Sequence, residues 1–321
     1  MLFDKTMFID TFLHQLSLAL PLFSLVLIGY VVMRFSGWPK SVSDGLTLFV
    51  FNLAVPVMLF RLMSDSTKRL SFVDYRLLVA FFGGCLIVFV IGRIVSWKFF
   101  GLDGVSQSVF GLGCVYSNGV LLGLPLVKMT FGDAAIPSTA LVIVFNALIL
   151  LTVTTVNIEW AKHGHLSLRD IARTARGVLM SPIIFSIILG ALFGWAGFSL
   201  PESVDIPAGM ISQTSTPLAL IALGMGLSEY GIGNELRLSS TVCLIKLLVT
   251  PFFVWFLAWL LGIPAMETQV VVLLAGVSTG ANVFLMSRQH KVMEGPIASS
   301  LILSTLLAAI TIPLILSLLG K

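Results

Sequence analysis

Two short clusters of small and polar residues interrupt long apolar stretches of this sequence. The members that could bind a ligand are Ser117, Asn118, Gly119, Ser278, Thr279, Gly280 and Asn282. Hydroxyl and amide side chains donate hydrogen bonds, and a helix that begins at such a point presents unpaired N–H groups and the positive end of its dipole. Two facing clusters therefore predict a site for a carboxylate or similar anion that needs no buried cation. The alternative is that these small residues only let helices pack closely.

Glycine and proline near the first cluster predict an interrupted helix. Gly123 and Pro125 follow Asn118 within two turns, and both are helix-breaking residues. Peptide groups released by a break are tolerated in hydrocarbon only where protein or a water-filled cavity satisfies them. We therefore expect the two clusters to be breaks in two spans that face each other near the middle of the membrane.

Four further polar residues lie inside apolar stretches and are candidates for lining the cavity or balancing charge. Lys246 is an intramembrane cation, which by default indicates function: it would balance substrate charge or bond to carbonyl groups of the broken helices. The alternative is that it snorkels to the interface. Asn52 and Gln213 each lie four residues before a proline, so they are expected to bond kink carbonyls or face the cavity. Asn146 is expected to approach the crossing.

The composition indicates that these residues belong to a membrane protein. Of 321 residues, 57% are hydrophobic and 11% charged, and the mean hydropathy is +1.04. A soluble domain is nearer a quarter charged, and here the charges separate apolar runs of about 20 residues, long enough to cross a bilayer. The prediction is an all-α polytopic membrane protein with ten transmembrane helices. The ten spans are 12–33, 44–63, 75–97, 105–129, 135–158, 178–199, 207–228, 239–262, 268–287 and 296–318.

The sequence also contains an internal repeat. At an offset of 161 residues, with no gap, glycines and prolines in the middle of equivalent spans coincide, as Gly119 and Gly280 do. The alternative is a chance alignment of apolar sequence, but these residues kink or break helices, so their coincidence carries weight. We predict two five-helix repeats, 1–160 and 178–321, joined by a cytoplasmic connecting loop at 161–177. Because five is odd, the repeats are inverted, with broken crossover helices in spans 4 and 9.

Loop charges predict orientation and partners. More Lys and Arg residues fall in the loops on one side, and the connecting loop at 161–177 carries four of them. The positive-inside rule places that side in the cytoplasm and both termini on the non-cytoplasmic side of the cell inner membrane. The net charge of +4 is scattered over short loops and forms no stripe, so the expected partner is the lipid bilayer and not nucleic acid.

Motifs for catalysis, cofactors and metals are absent from the sequence. It has no phosphate-binding loop, no zinc-protease helix and no nucleophile elbow, and its three cysteines are widely spaced. We expect no enzyme activity, no catalytic residue, no cofactor and no metal site. No carboxylate is placed at mid-membrane, which gives no support to a proton relay or a sodium site built on Asp or Glu. Coupling to H⁺ or Na⁺ stays open, since carbonyls and hydroxyls at the breaks are able to hold sodium.

Several motifs, in order through nearly the whole chain, resemble the auxin efflux carrier family. They are Phe51 to Pro56, Asn118 to Pro125, Pro217 to Leu227, and Leu303 to Leu307 followed by Thr311 to Leu314. The family includes plant auxin exporters and bacterial permeases assigned to malate and malonate, and it is similar in fold to the bile acid sodium symporters. This chain resembles the short bacterial form. Its Asn118-Gly119-Val120 departs from the family's Asn-Thr-Gly, and the proline usual in the second break is replaced near Ser278 to Gly280.

The resemblance implies a division of the ten spans and a mechanism. Spans 1, 2, 6 and 7 form a scaffold, and spans 3–5 and 8–10 form a moving transport domain, with the substrate site where the broken helices cross. It also implies a homodimer. We therefore expect a secondary transporter that moves a small organic anion, such as a mono- or dicarboxylate, by elevator-type alternating access.

Three alternatives stay open for the function. The first is a sodium- or proton-coupled importer of dicarboxylates such as malate or malonate. The second, from another class, is a membrane anion receptor or sensor, and the third is a channel. Export down the membrane potential needs no coupling ion, because an anion leaving a negative interior gains about 2.3 kcal/mol per 100 mV.

Overall fold

The computed structural model describes residues 5–66, 75–163, 172, 176, 179–228 and 235–319. Most of the predicted connecting loop at 161–177 lies outside the described residues, as do both chain ends. Within the described residues every regular element is helical. The α-helices are numbered here in chain order: α1 (Lys5–Phe35), α2 (Lys40–Phe49), α3 (Val55–Ser66), α4 (Tyr75–Phe100), α5 (Gly104–Val115), α6 (Leu124–Phe131), α7 (Ile136–Phe145), α8 (Thr152–His163), α9 (Pro182–Trp195), α10 (Glu202–Leu227), α11 (Leu236–Leu244), α12 (Thr250–Leu260), α13 (Ala265–Gly276), α14 (Ala281–His290) and α15 (Glu294–Leu318).

Among the described residues, six helical stretches are long and apolar enough to cross a membrane. They are Lys40–Asp65, Tyr75–Phe100, Asp133–Lys162, Glu202–Leu227, Leu236–Leu260 and Glu294–Leu318. At about 1.5 Å per residue, each is longer than the hydrocarbon core, which is about 30 Å thick. Large apolar side chains such as Leu27, Trp97 and Trp259 are exposed on the outer faces, as lipid contact requires. The chain is therefore an all-helical, multi-pass membrane protein.

In the described part of the chain, three helical stretches widen into a π-helical turn just before a proline. The π-helical segments Val50–Ala54, Gly119–Gly123 and Ile245–Val249 each end two residues before a proline, at positions 56, 125 and 251. Proline has no N–H group and its ring collides with the carbonyl four residues earlier, and a wider turn moves that carbonyl aside. The prediction that Gly123 and Pro125 break the helix is therefore wrong: the chain is helical from Gly119 to Phe131.

The helix ends recur along the chain at the spacing of the sequence repeat. Adding 161 to the bounds of α5, Gly104–Val115, reproduces those of α13, Ala265–Gly276. The turns before these helices are also equivalent, because Gly101 and Gly262 have φ angles of 61° and 62°. A left-handed conformation of this kind strongly favours glycine. Both halves of the chain thus end and restart their helices at matching positions.

Close contacts between the two halves are reciprocal. Gly29 in α1 packs against the carbonyl oxygen of Ile221 in α10, and Gly190 in α9 packs against the carbonyl oxygen of Phe60 in α3. Gly190 and Phe60 are the repeat equivalents of Gly29 and Ile221. A Cβ atom at either glycine would overlap with the facing carbonyl, so the helices approach this closely only because no side chain is present.

The helices pack in two groups. In the first group, α10 packs against α1, α2 and α3, and α3 packs against α9. In the second group, α4 packs against α5 and α12, α12 packs against α13, α5 packs against α8, and α11, α13 and α14 pack against α15. The second group also contains α6 and α7, which pack against each other and against α13. The two groups contact each other where α1 packs against α15 and α6 and where α3 packs against α7. This arrangement places the interruption between α5 and α6 and the interruption between α13 and α14 in the second group.

Candidate functional site

The two helix interruptions lie side by side and pair with each other. The Asn118 N–H donates to the Ser278 carbonyl at 2.8 Å, and the Gly280 N–H donates to the Tyr116 carbonyl at 2.9 Å. The extended residues between the half-helices form one isolated antiparallel β-bridge. Non-helical backbone inside a membrane needs hydrogen-bond partners for its N–H and C=O groups. Here each break supplies partners for the other.

Buried threonine hydroxyls cap the end of α5. Thr250 Oγ1 donates to the Cys114 carbonyl at 2.7 Å, and Thr279 Oγ1 donates to the Gly113 carbonyl at 3.2 Å. Both threonines are fully buried. The last carbonyl groups of a helix have no intrahelical partner, and leaving them unpaired in the interior would cost about 1–3 kcal/mol each. The Thr279 hydroxyl therefore stabilises the break by pairing a carbonyl at the end of α5.

The ammonium group of Lys246 caps the end of α13. Lys246 is 0% exposed, and its Nζ donates to the Ala275 carbonyl and, at 2.8 Å, to Ser117 Oγ. Among the described residues, no carboxylate forms an ion pair with it. The negative end of a helix dipole favours a cation at this position. The alternative that Lys246 snorkels to the interface is wrong, because its side chain turns inward to the crossing.

A cavity of about 870 Å³ opens from the crossing. Its lining includes Gly119 to Leu121 and Gly280 to Asn282, which begin the second half of each interrupted helix. The first N–H groups of a helix have no intrahelical partner and carry the positive end of its dipole. Two helix N-termini thus face one space, an arrangement that favours an anion.

The cavity extends along α8 and α14 away from the crossing. It reaches Glu159 and His290, and His290 lies about 14 Å along its helix from Ala281. In the part of the chain that the structure describes, Glu159 is the only carboxylate among the lining residues. Lys162 Nζ lies 2.9 Å from His290 Nδ1 at this far end. Negative side-chain charge is therefore kept away from the helix N-termini.

The structure brings together most, but not all, of the residues that the sequence predicts for the site. Those that line the cavity are Ser117, Asn118, Gly119, Gly280, Asn282 and Asn146. Ser278 and Thr279 are fully buried at the crossing and do not line the cavity. Asn52 and Gln213 do not line it either, since both side chains are exposed on the surface of their helices.

Asn146 presents an unpaired polar atom at the cavity wall. The residue is 6% exposed, and its Oδ1 has no hydrogen-bond partner among the described residues. Leaving a buried amide oxygen unpaired costs about 1–3 kcal/mol. A ligand or water that donates a hydrogen bond to Asn146 would recover that cost, which makes this side chain a second polar contact beside the helix N-termini.

Tyr116 belongs to the site but is not predicted from the sequence. Its hydroxyl accepts a hydrogen bond from Asn282 Nδ2 at 2.6 Å, and both residues line the cavity. This bond fixes the orientation of the Asn282 amide at the start of α14. The signal that could have identified Tyr116 is its position directly before the first cluster, where an aromatic residue with a polar end stands in otherwise apolar sequence.

The chemistry available at the crossing is the binding of a ligand through neutral donors, with the buried ammonium of Lys246 one hydrogen bond behind Ser117. The site offers main-chain N–H groups, amides and hydroxyls. The described residues contain no group of three or more His, Cys, Asp or Glu side chains that could hold a metal ion. Cys85, Cys114 and Cys243 are buried as free thiols.

Comparison with known proteins identifies the chain as a transporter rather than an enzyme. The family model described as "Membrane transport protein" matches residues 15–316. The "Putative malonate transporter" of Rhizobium meliloti (strain 1021) is 25% identical over 92% of each chain. An uncharacterized transporter of Methanothermobacter thermautotrophicus is 22% identical over 94% of this chain and 98% of its own. "Auxin efflux carrier component 8" of Arabidopsis thaliana is 19% identical over 92% of this chain and 94% of its own. Since the family model covers nearly the whole sequence, the protein belongs to the membrane transport protein family, which is auxin efflux carrier-like.

Proposed function

We propose that the protein is a secondary transporter that carries a small organic anion by elevator-type alternating access. The observation that carries this proposal is the pair of helix N-termini, at Gly119 and Ala281, that face one cavity. Each N-terminus is equivalent to roughly half a positive charge. Because Glu159 stands at the far end of the cavity, no acidic side chain among the described residues competes with an anion at the crossing.

The substrate we propose is a mono- or dicarboxylate. A volume of about 870 Å³ lies within the range of small-molecule sites, roughly 300–1,000 Å³. Asn118 and the helix N-termini would bind one carboxylate, and Asn146 would accept a hydrogen bond from a protonated or hydroxyl group at the other end of the substrate. The name of the Rhizobium meliloti relative makes malonate the first compound to test.

The packing of the helices in two groups is an argument for our proposal of a scaffold and a transport domain built from inverted repeats. The first group coincides with predicted spans 1, 2, 6 and 7, and the second with spans 3–5 and 8–10. The recurring helix ends and the reciprocal glycine contacts support ten helices in two five-helix repeats. The cavity has lining residues from both groups, with Phe51 and Ile183 from the first and Asn118 and Asn282 from the second. Movement of one group past the other would carry the site across the membrane.

The loop charges suggest which way the cavity opens. In the orientation they predict, Glu159, Ser181 and His290 lie toward the cytoplasm of a cell whose inner membrane holds the protein. The cavity would then be open to the inside. An anion that binds there and leaves outward moves down the membrane potential, so export without a coupling ion is the mechanism we favour.

The hydrogen bonds at the breaks favour a mechanism without sodium at that position. The carbonyls of Gly113, Cys114 and Ala275 accept hydrogen bonds from Thr279, Thr250 and Lys246. These donors already satisfy carbonyl oxygens that could otherwise coordinate a sodium ion at the breaks. Coupled import of a dicarboxylate is the alternative within transport, and dependence on sodium or on a pH step would favour it.

Counterflow in proteoliposomes tests the proposal. Proteoliposomes that contain the purified protein and are loaded with unlabelled malonate should accumulate labelled malonate from the medium with saturable kinetics. Asn118→Ala should reduce this exchange at least tenfold, because it removes an amide from the cavity. Asn52→Ala is the matched control and should exchange normally, since Asn52 does not line the cavity.

Three outcomes would contradict the proposal. Saturable binding without counterflow would indicate a receptor, and unitary conductance steps would indicate a channel. Normal exchange by folded Asn118→Ala would remove the helix crossing from the mechanism.

A further inference from the structure

A second, smaller cavity lies on the outer surface, separate from the crossing. This lateral groove has a volume of about 360 Å³ and is formed by α4, α5 and α8. We define it by Val90, Arg93, Ile94, Trp97 and Asn157, and it shares no lining residue with the larger cavity. Val90, Ile94 and Trp97 are each more than half exposed, so the groove opens on the face that contacts acyl chains.

An arginine without a counter-charge lines the lateral groove. Arg93 Nη1 donates to Asn157 Oδ1, while the buried Nε has no hydrogen-bond partner among the described residues. No carboxylate is among the residues that line the groove. A guanidinium carries five N–H donors and a permanent charge, and leaving them unpaired at the edge of hydrocarbon is costly. The residues that line the groove therefore supply no counter-charge for Arg93.

The surroundings of Arg93 fit a lipid phosphate. Trp97 lies one turn beyond Arg93 toward the end of α4, and exposed tryptophans favour the level of lipid headgroups. In the orientation predicted from loop charges, this end of α4 is cytoplasmic, where anionic lipids give the membrane surface its negative potential. Val90 precedes Arg93 in α4 and so lies on the bilayer side of it. A lipid places its phosphate at Arg93 while its acyl chain covers the exposed Val90 and Ile94 side chains, which a soluble anion would leave uncovered.

We propose that the lateral groove binds the phosphate of an anionic phospholipid in the cytoplasmic leaflet. Arg93 binds the phosphate oxygens through its planar donors, and an acyl chain lies along Val90 and Ile94. The site connects to transport through α8. On that helix Asn157 lines the lateral groove, while Thr155 and Glu159 line the larger cavity. The bound lipid thus stabilises a helix that forms the wall of the larger cavity.

Thermal unfolding in lipid nanodiscs tests this site. The wild-type protein should unfold about 3 °C higher in discs that contain phosphatidylglycerol than in discs of phosphatidylcholine alone. Arg93→Gln should lose this increase. Arg237→Gln removes the same charge from an exposed position at the start of α11, on the same predicted side of the membrane, and should keep it. Val90→Trp, which fills the groove but leaves Arg93 in place, should also lose it.

Each contrary result has a clear meaning. If phosphatidylglycerol raises the unfolding temperature equally in the wild type and in Arg93→Gln, the increase comes from general surface charge and the proposal is overturned. The same increase from inorganic phosphate added to phosphatidylcholine discs would identify a soluble anion and overturn the choice of a lipid. If Arg93→Gln does not fold, Val90→Trp decides, because a full increase in that variant would contradict a lipid in the groove.

Discussion

Replacing Lys246 with methionine should weaken substrate binding strongly while the protein stays folded. Methionine nearly matches the length of the lysine side chain but carries no charge, so the packing around it is largely kept. The Ala275 carbonyl loses its donor, at a cost of about 1–3 kcal/mol, but the protein no longer buries an ammonium group. These two effects oppose each other, so the melting temperature should change little in comparison with affinity.

The expected loss of affinity follows from the distance between Lys246 and the cavity. The Nζ atom lies 2.8 Å from Ser117 Oγ, and Ser117 lines the cavity. An anion one hydrogen bond beyond that hydroxyl is therefore about 6 Å from the ammonium, which corresponds to about 2–3 kcal/mol at an effective dielectric constant near 20. The dissociation constant for a monoanion should then rise by roughly 30- to 150-fold.

Titration calorimetry of the purified protein with malonate and with its neutral diamide measures this effect. Malonate affinity should fall in Lys246→Met, whereas binding of the diamide should not change, because a neutral ligand does not interact with the missing charge. Lys98→Met, at the exposed end of α4, is the matched control and should bind malonate as the wild type does. Unchanged malonate affinity in folded Lys246→Met would refute the reasoning, and the helix dipoles would then account for the anion alone.

Three further substitutions test other parts of the structure. Gly224→Ala should destabilise the protein by several kcal/mol, because the new Cβ overlaps with a carbonyl oxygen of α1. Gly226→Ala, on the same helix, meets open space and should be neutral or stabilising; thermal unfolding measures both. Thr250→Val should cost about 1–3 kcal/mol in denaturant titration by leaving a buried carbonyl at the end of α5 unpaired, and Thr241→Val, at a partly exposed position, should cost less. Asn146→Leu should reduce counterflow without lowering the melting temperature, since its Oδ1 bonds to no described residue; a fall in stability with normal transport would contradict its role in the cavity.

The positions of the helix breaks follow from local chemistry, which is why the sequence predicts them well. Small and polar residues at Ser117 to Gly119 and Ser278 to Gly280 cannot form a uniformly apolar membrane helix, and the helices end beside them. The wrong prediction of a break at Gly123 and Pro125 also has a local cause. A π-helical turn accommodates the proline, and no pattern of residue types distinguishes such a turn from a break.

The surroundings of individual polar side chains depend on contacts between distant parts of the chain. Lys246 bonds to residues 129 and 29 positions away, so neither its inward direction nor its partners can be derived from its place in an apolar segment. Asn52 and Gln213 point away from the cavity, whereas Lys246 points inward. A proline four residues later predicts a kink, but it does not predict which face of the helix points to the cavity. The sequence predicts that Asn146 approaches the crossing, and the structure adds that its Oδ1 has no hydrogen-bond partner among the described residues.

The reciprocal glycine contacts have a consequence for biosynthesis. The backbone of Ile221 packs against Gly29, and the backbone of Phe60 packs against Gly190, so each half of the chain supplies a contact surface that the other half needs. At translation rates of about 5–20 residues per second, the earlier half waits in the bilayer for roughly 10–30 s before its counterpart emerges from the ribosome. Helices left unmatched during that interval are natural clients for quality-control proteases, and the two halves expressed from separate genes should protect each other from degradation.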